Sequence, residues 1–298
     1  MDGRPTFKIP ANCSLTPLKI SSEPDLLMLL GDIPPENELL SDAQTVLDAS
    51  LDWTLRKAYP NGKAYFHLEF DSGKKKTHTW HCVVTELHRD EVSFGQLWAK
   101  LGRNKAYNQR RYVAGIDKVT RVKYISESQS IWTTLFIHPP PMSPRVYTSH
   151  HSRATNLPIR KRIVVTLPID LSSKTAGELS ELEEKGIKGR YVSIEHIREI
   201  DGDLLEWRQI VGVDARGLIP KFWVHRKMGK NLLQEFSACV EWLKNSRLDE
   251  TSGEDEVKRI KGDHKDVKVD AKVQTEEEVV EEVQEIDYPH ADTNTQTI

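Results

Sequence analysis

The chain has 298 residues, is 38% apolar and carries a formal net charge of -3. That length suits one large domain or two small ones, and no apolar run is long enough to cross a bilayer. The charge is unevenly divided: residues 248–298 hold sixteen Asp/Glu against six Lys/Arg, a net of -10, so the remainder carries +7. A basic body and an acidic tail are read as separate objects. Residues 1–18 lack the basic start and apolar block of a secretory leader. Cys13, Cys82 and Cys239 are odd in number and far apart, which implies reduced thiols and a cytoplasmic protein rather than a disulfide framework.

Six prolines punctuate residues 1–35 around one apolar patch, Leu26 to Leu30, an irregular lead-in. Leu39, Leu40, Ala43, Val46, Leu47, Leu51, Leu55 and Ala58 have helical spacing, and Pro60-Asn61-Gly62 is a stop signal. Residues 65–70 and 77–87 read as strands joined by a turn that contains Lys74-Lys75-Lys76. Ser93 is a good N-cap for a short helix with Phe94, Leu97, Trp98 and Leu101 on one face. A polar helix over residues 104–112 follows. Strands are then predicted over 119–125, 130–137, 146–151, 162–167, 190–200 and 204–213, the last pair joined by Asp201-Gly202-Asp203. The connection 168–188 is too long for a hairpin turn, and connections of that length often serve as lids.

Pro220 opens the last element. Ile219, Phe222, Arg226, Gly229, Leu233, Phe236, Val240 and Leu243 recur at steps of three and four, laying one stripe along a long helix. Beyond Arg247 the chain turns Glu/Lys/Val-rich, with Tyr288 its lone aromatic, and cannot bury enough apolar surface to fold alone.

Pro139-Pro140-Pro141-Met142-Ser143-Pro144-Arg145-Val146-Tyr147 resembles the segment that leads into a central strand of START domains, the StAR-related lipid-transfer modules. Val213-Asp214-Ala215-Arg216-Gly217-Leu218-Ile219-Pro220 is similar to the lead-in to their final helix, with Ala215 in place of the usual proline. Gly189-Arg190-Tyr191-Val192 resembles the strand after their omega loop, with the arginine displaced. The region of Trp80 to Tyr112 is most similar to an uncharacterised fungal START-like family. The resemblance implies an α+β helix-grip domain over residues 36–247: a curved antiparallel sheet closed by a long C-terminal helix, with a lipid or other apolar ligand between them. It also implies an omega-loop gate at 168–188. Without it, close packing of helix on sheet is the plainer reading.

Parity fixes which residues share a strand face. The expected lining is Trp132 and Phe136, Val165, then Val192, Ile194 and His196, then Trp207 and Gln209, and on the helix Phe222, Arg226, Gly229 and Leu233. His196, Gln209 and Arg226 are the polar groups of that set, suited to orient an amphipathic headgroup because an unpaired buried donor is costly. Each also has a plainer role as a satisfied core or rim group, and Arg226 as a side chain that reaches water. Gly229 and Cys239 leave room on the helix face.

Arg160-Lys161-Arg162, Arg110-Arg111 and Lys74-Lys75-Lys76 suit an anionic membrane surface or simply solvent. No stacking-aromatic or Gly-rich RNA signature accompanies them, so nucleic acid is not expected. No catalytic motif, metal-binding motif or cofactor fingerprint is present in the sequence. The pairs His78/His81 and His150/His151 fall on opposite strand faces, which disfavours a shared metal. In the tail, Val279, Val280, Val283 and Ile286 at helical spacing and Thr295-Gln296-Thr297 offer a protein-binding segment over 276–298, against the plainer reading of a solvated coil. The sequence thus predicts non-catalytic binding, and transfer, of an apolar ligand. The alternatives are a helix-grip enzyme acting on an apolar substrate and a scaffold recruited through its tail.

Overall fold

The computed structural model describes residues 18–19, 33–59, 63–71, 77–154, 157, 161–171, 177–200 and 203–249. All belong to the unit Met1–Thr251, and none to the second unit, Ser252–Ile298. The tail beyond Asp249, the Leu26 to Leu30 patch, Lys74 to Lys76 and the Pro60-Asn61-Gly62 stop lie outside them.

In chain order the elements are β1 (Leu18–Lys19), α1 (Glu36–Ala49), β2 (Thr54–Tyr59), β3 (Lys63–Asp71), β4 (Thr77–His88), α2 (Phe94–Gly102), α3 (Lys105–Tyr112), β5 (Ile116–Ser126), β6 (Gln129–Phe136), β7 (Arg145–Arg153), β8 (Lys161–Asp170), β9 (Ile187–Lys188), β10 (Arg190–Ile200), β11 (Leu204–Asp214) and α4 (Lys221–Asp249). The sheet runs β2-β3-β4-β11-β10-β8-β7-β6-β5 with antiparallel neighbours. The short β1 and β9 add in parallel to β8 and β7. This is the helix-grip arrangement, a large antiparallel sheet with a long helix at its C-terminal end.

Local chemistry explains most boundaries. Ser93 Oγ accepts from Gln96 N at 3.2 Å while Gln96 Oε1 accepts from Ser93 N at 3.0 Å, a capping box that satisfies two free donors at the start of α2. The first helix departs from the sequence expectation. It ends at Ala49, a 3-10 turn spans Ser50–Asp52, and residues up to Tyr59 form an edge strand on β3. Leu51 and Leu55 are 65% and 52% exposed, so helical spacing there has nothing to bury against. Pairing with β3 satisfies the backbone instead.

Register divides the sheet into two faces. Pairing of β10 with β11 sets Tyr191, Ser193, Glu195 and Ile197 opposite Val213, Val211, Gln209 and Trp207, and Val192, Ile194 and His196 opposite Gly212, Ile210 and Arg208. Beneath α4, Leu205, Trp207 and Ile197 pack with Phe236, Cys239, Val240 and Leu243 and with Leu97 and Leu101 of α2. Val83 and Val211 meet Leu232 and Leu233. On the opposite face Ile163, Val165, Leu167, Val192, Ile194 and Ile210 pack against Leu39, Ala43, Val46 and Leu47 of α1.

Leu39 is fully buried in that second layer. Leu39→Ala is expected to cost about 2–5 kcal/mol, whereas Leu51→Ala should stay within about 0.5 kcal/mol, as read by urea unfolding.

Candidate functional site

A cluster of buried polar side chains lies on the α4 side of the sheet. Asn104, in the left-handed region at φ 51, precedes α3, and Lys105 is its first residue. Lys105 Nζ meets Glu195 Oε1 at 2.5 Å and donates to Ser193 Oγ at 3.0 Å and Thr166 Oγ1 at 3.3 Å. Ser193 and Glu195 share a face because they are two apart on β10, and Thr166 sits opposite Ser193 on β8. Lys105 is 3% exposed and Glu195 1%. Taking both charges from water is expensive, and the convergent hydroxyls offset part of that cost.

Further titratable groups close around the pair. Opposite Thr166 on β7 is His151, whose Nε2 lies 2.9 Å from Ser149 Oγ. Burial, then Lys105, then His150 hold its imidazole well below the usual range. From α4 comes Glu235, which accepts from Gln109 Nε2 of α3 at 3.0 Å. Burial and the neighbouring Glu195 push its carboxyl up to about 7. Tyr191 hydrogen-bonds with Ser193 and Gln209, and Tyr112 with Cys239; burial raises both phenols. Buried polar atoms here without a hydrogen-bond partner among the described residues include Glu195 Oε2, Trp207 Nε1 and, opposite Trp207 on β4, Thr85 Oγ1. The Trp207 ring itself is well packed, 4.6 Å from Phe236.

The structure divides the lining expected from sequence. Trp132, Phe136, Trp207, Gln209, Gly229 and Leu233 fall on the α4 side. Val165, Val192 and Ile194 do not; they belong to the aliphatic layer under α1, and their placement beside α4 is corrected. His196 shares their face, next to Lys161, Glu206, Arg198 and Arg208, and burial lowers its pKa to about 4. Phe222 and Arg226 are exposed at the front of α4 rather than turned inward. Trp132 Nε1 donates to Ser130 Oγ at 2.8 Å.

Gly229 does not leave a void: a Cβ there would meet the Tyr65 ring at 3.0 Å. Nor does Cys239, whose thiol bonds with Tyr112. Tyr65 OH lies 2.7 Å from His81 Nδ1, and His81 Nε2 lies 3.0 Å from His225 Nδ1, tying β3, β4 and α4 together. An open depression of about 420 Å³ adjoins this edge, lined by Tyr59, Lys63, Lys230, Leu233, Gln234 and Ser237. Of the expected lining only Leu233 borders it.

Sequence reasoning missed Lys105, Glu195, Glu235, His151 and Tyr112. One signal was present: Ser193 and Glu195 alternate with the aliphatic Val192 and Ile194, a period-two pattern that puts the polar pair on one face and the aliphatic pair on the other. Among the described residues no group of three or more His, Cys, Asp or Glu is disposed to hold a metal, and no helix is long and apolar enough to span a membrane.

A long helix laid across a large antiparallel sheet is the helix-grip fold. Human STARD10 is similar over 74% of this chain and 84% of its own, with a TM-score of 0.56 and 13% identity. Human StAR-related lipid transfer protein 5 is similar over 72% of this chain and 100% of its own, with a TM-score of 0.54 and 8% identity. At such identities the likeness concerns the fold. A family model described as a protein of unknown function (DUF3074) matches residues 80–243, more than half of the chain, and the chain belongs to that family. No curated protein matches its sequence.

The Glu235 carboxyl sets a pH test. Its folded pKa lies above its unfolded value, so its contribution to stability is full below about pH 4.5 and is lost as pH rises through about 7. Glu235→Gln should therefore show a smaller loss of stability than the native chain between those limits, measured by urea unfolding at stepped pH.

Proposed function

We propose that the chain binds one lipid or similar apolar molecule between the sheet and α4, with the ligand's polar end at the Lys105–Glu195 cluster. The observation that carries this reading is the pair of buried, unpartnered atoms, Trp207 Nε1 and Glu195 Oε2, beneath the helix. Each costs on the order of 1–3 kcal/mol while unpaired, so a ligand bringing an acceptor and a donor is favoured there. Sequestering an acyl chain adds ~0.8 kcal/mol per methylene. The shared fold with a human protein named for lipid transfer supports the same class, and transfer through the cytosol is the wider form of the proposal.

A second reading, an enzyme on an apolar substrate, is favoured by one specific feature. Lys105, Glu235, His151 and Tyr112 converge, and a carboxyl raised to about 7 is suited to general acid–base work. The two readings separate cleanly. Native mass spectrometry of the full chain, followed by organic extraction, should find a stoichiometric apolar ligand. Trp207→Phe removes the donor while keeping an aromatic side chain, and is expected to weaken binding of that ligand by roughly 5–10-fold, with urea unfolding of the empty chain reading the packing cost separately. A chain that stays empty after incubation with liposomes would sink the binding proposal and leave a scaffold. If the extracted ligand changes mass on incubation with the native chain but not with Glu235→Gln, the enzyme reading takes precedence.

A further inference from the structure

The front of α4 carries an exposure pattern that core packing does not explain. Leu218 is 99% exposed, Phe222 63% and Trp223 55%. Arg216 and Gly217 hold positive φ values of 54 and 66, a tight turn that thrusts Leu218 outward. The same end of the molecule presents the β6–β7 loop, with Ile137 45% and Met142 41% exposed. The two segments are neighbours, since a Cβ on Gly217 would lie 3.5 Å from the guanidinium of Arg145, the first residue of β7.

Along residues 215–234 the charge has one sign. That stretch holds no Asp or Glu, while Lys221, Arg226, Lys227 and Lys230 are basic. Arg216, also in this stretch, pairs with Asp214 at 3.5 Å. Arg226, Lys227 and Lys230 are exposed on the same helix flank as Phe222 and Trp223, and the Lys227 ammonium sits 5.8 Å from the Trp223 ring. Aliphatic and aromatic side chains at a protruding tip, backed by cations and free of acidic residues along that stretch, match the chemistry of an anionic bilayer surface. The rings enter the headgroup level and the cations meet the phosphates.

We propose that the turn at Leu218 and the first two turns of α4 form a docking surface for an anionic lipid bilayer. This surface differs from the basic clusters picked out by sequence. Arg162 of those lies over the rings of Phe94 and Trp98, and Lys161 donates to Gln44. The convex tip favours a bilayer over an acidic protein, which would need a complementary groove around the protruding rings.

The test is co-sedimentation of the full chain with phosphatidylcholine vesicles, with and without about one third phosphatidylserine. The native chain should sediment at least roughly tenfold better with the anionic vesicles. Leu218→Ser, Phe222→Ser and Trp223→Ser combined should reduce that binding roughly tenfold, as should Arg226→Glu, Lys227→Glu and Lys230→Glu combined. Because these side chains are exposed, circular dichroism and thermal unfolding should be unchanged in both variants. Absence of binding to either vesicle, or undiminished binding by both folded variants, overturns the proposal. Sedimentation does not read the buried site, so its failure is distinguishable from failure of the ligand-binding proposal.

Discussion

A single charge pair constrains much of this molecule. Lys105 and Glu195 are removed from water, and a lone buried charge at either position would be destabilising by about 3–5 kcal/mol. The pair therefore has to be met from several directions at once. Thr166 and Ser193 come from adjacent strands, so the register of β8 on β10 is fixed by the same ammonium that anchors α3. Burial, and after it the negative charge of Glu195, push the Glu235 carboxyl of α4 up to about 7, so the helix closes over the sheet with a carboxyl that titrates near neutral pH. Sheet, helix pair and closing helix are tied through one point.

Both faces of the sheet combine apolar packing with buried polar groups. Under α1 an aliphatic layer is flanked by buried polar groups of its own, His150 and Ser152 opposite Leu167 and Val165, and the Glu206–Arg208 pair. Under α4 an apolar rim of Leu205, Trp207, Val211 and Phe236 surrounds groups that are polar or titratable. Among the described residues Glu195 Oε2, Trp207 Nε1 and Thr85 Oγ1 stay without partners there, as do the His150 ring nitrogens and Ser152 Oγ on the α1 face. Polar groups in low dielectric interact strongly and are costly when unpaired, so neither face can serve merely as packing without a stability cost. The Lys105–Glu195 pair, at 2% and 1% side-chain exposure the most deeply buried ion pair among the described residues, is what places the proposed ligand's polar end beneath α4.

Much of this was legible in the sequence, and the limits have identifiable causes. The capping residue Ser93, the long stripe from Gly229 to Leu243 and the succession of strands are local patterns, and the local patterns hold. Parity showed that Val192, Ile194 and His196 share a face, but parity does not say which helix covers it. The aliphatic set was assigned to the ligand side because apolar linings suit apolar ligands. In the folded chain α1 takes that set, and the polar alternates, Ser193 and Glu195, turn toward α4. Lys105 was invisible for a different reason: it stands at the head of a weakly amphipathic helix, and its partner is ninety positions away in the chain. Only pairing across the sheet brings them together. Leu51, Leu55 and Ala58 misled in the opposite sense, since spacing alone does not reveal that no surface is available to receive them.

The closing helix is itself divided, and Gly229 marks the division. Behind it Leu232, Leu233, Phe236, Cys239, Val240 and Leu243 are buried against the sheet. Ahead of it Phe222, Trp223, Arg226 and Lys227 face outward, and attachment rests on Tyr65, His81 and His225. Burial, with His225 and His67 nearby, holds the His81 imidazole down to about 3, so the central ring of this link is neutral at physiological pH. A glycine within a helix costs about 1 kcal/mol relative to alanine, and here it admits the Tyr65 ring to contact with the helix backbone. Segments with few buried apolar contacts open at lower free energy than the core. The front of α4 is such a segment and the rear is not. Under the proposed function, ligand exchange proceeds by release of the front half at the His81–His225 contact while the rear half keeps Trp207 and Glu235 in place. The portion that moves is then the portion that carries the exposed rings and cations, so contact with a bilayer and access to the buried site act on the same few turns of helix.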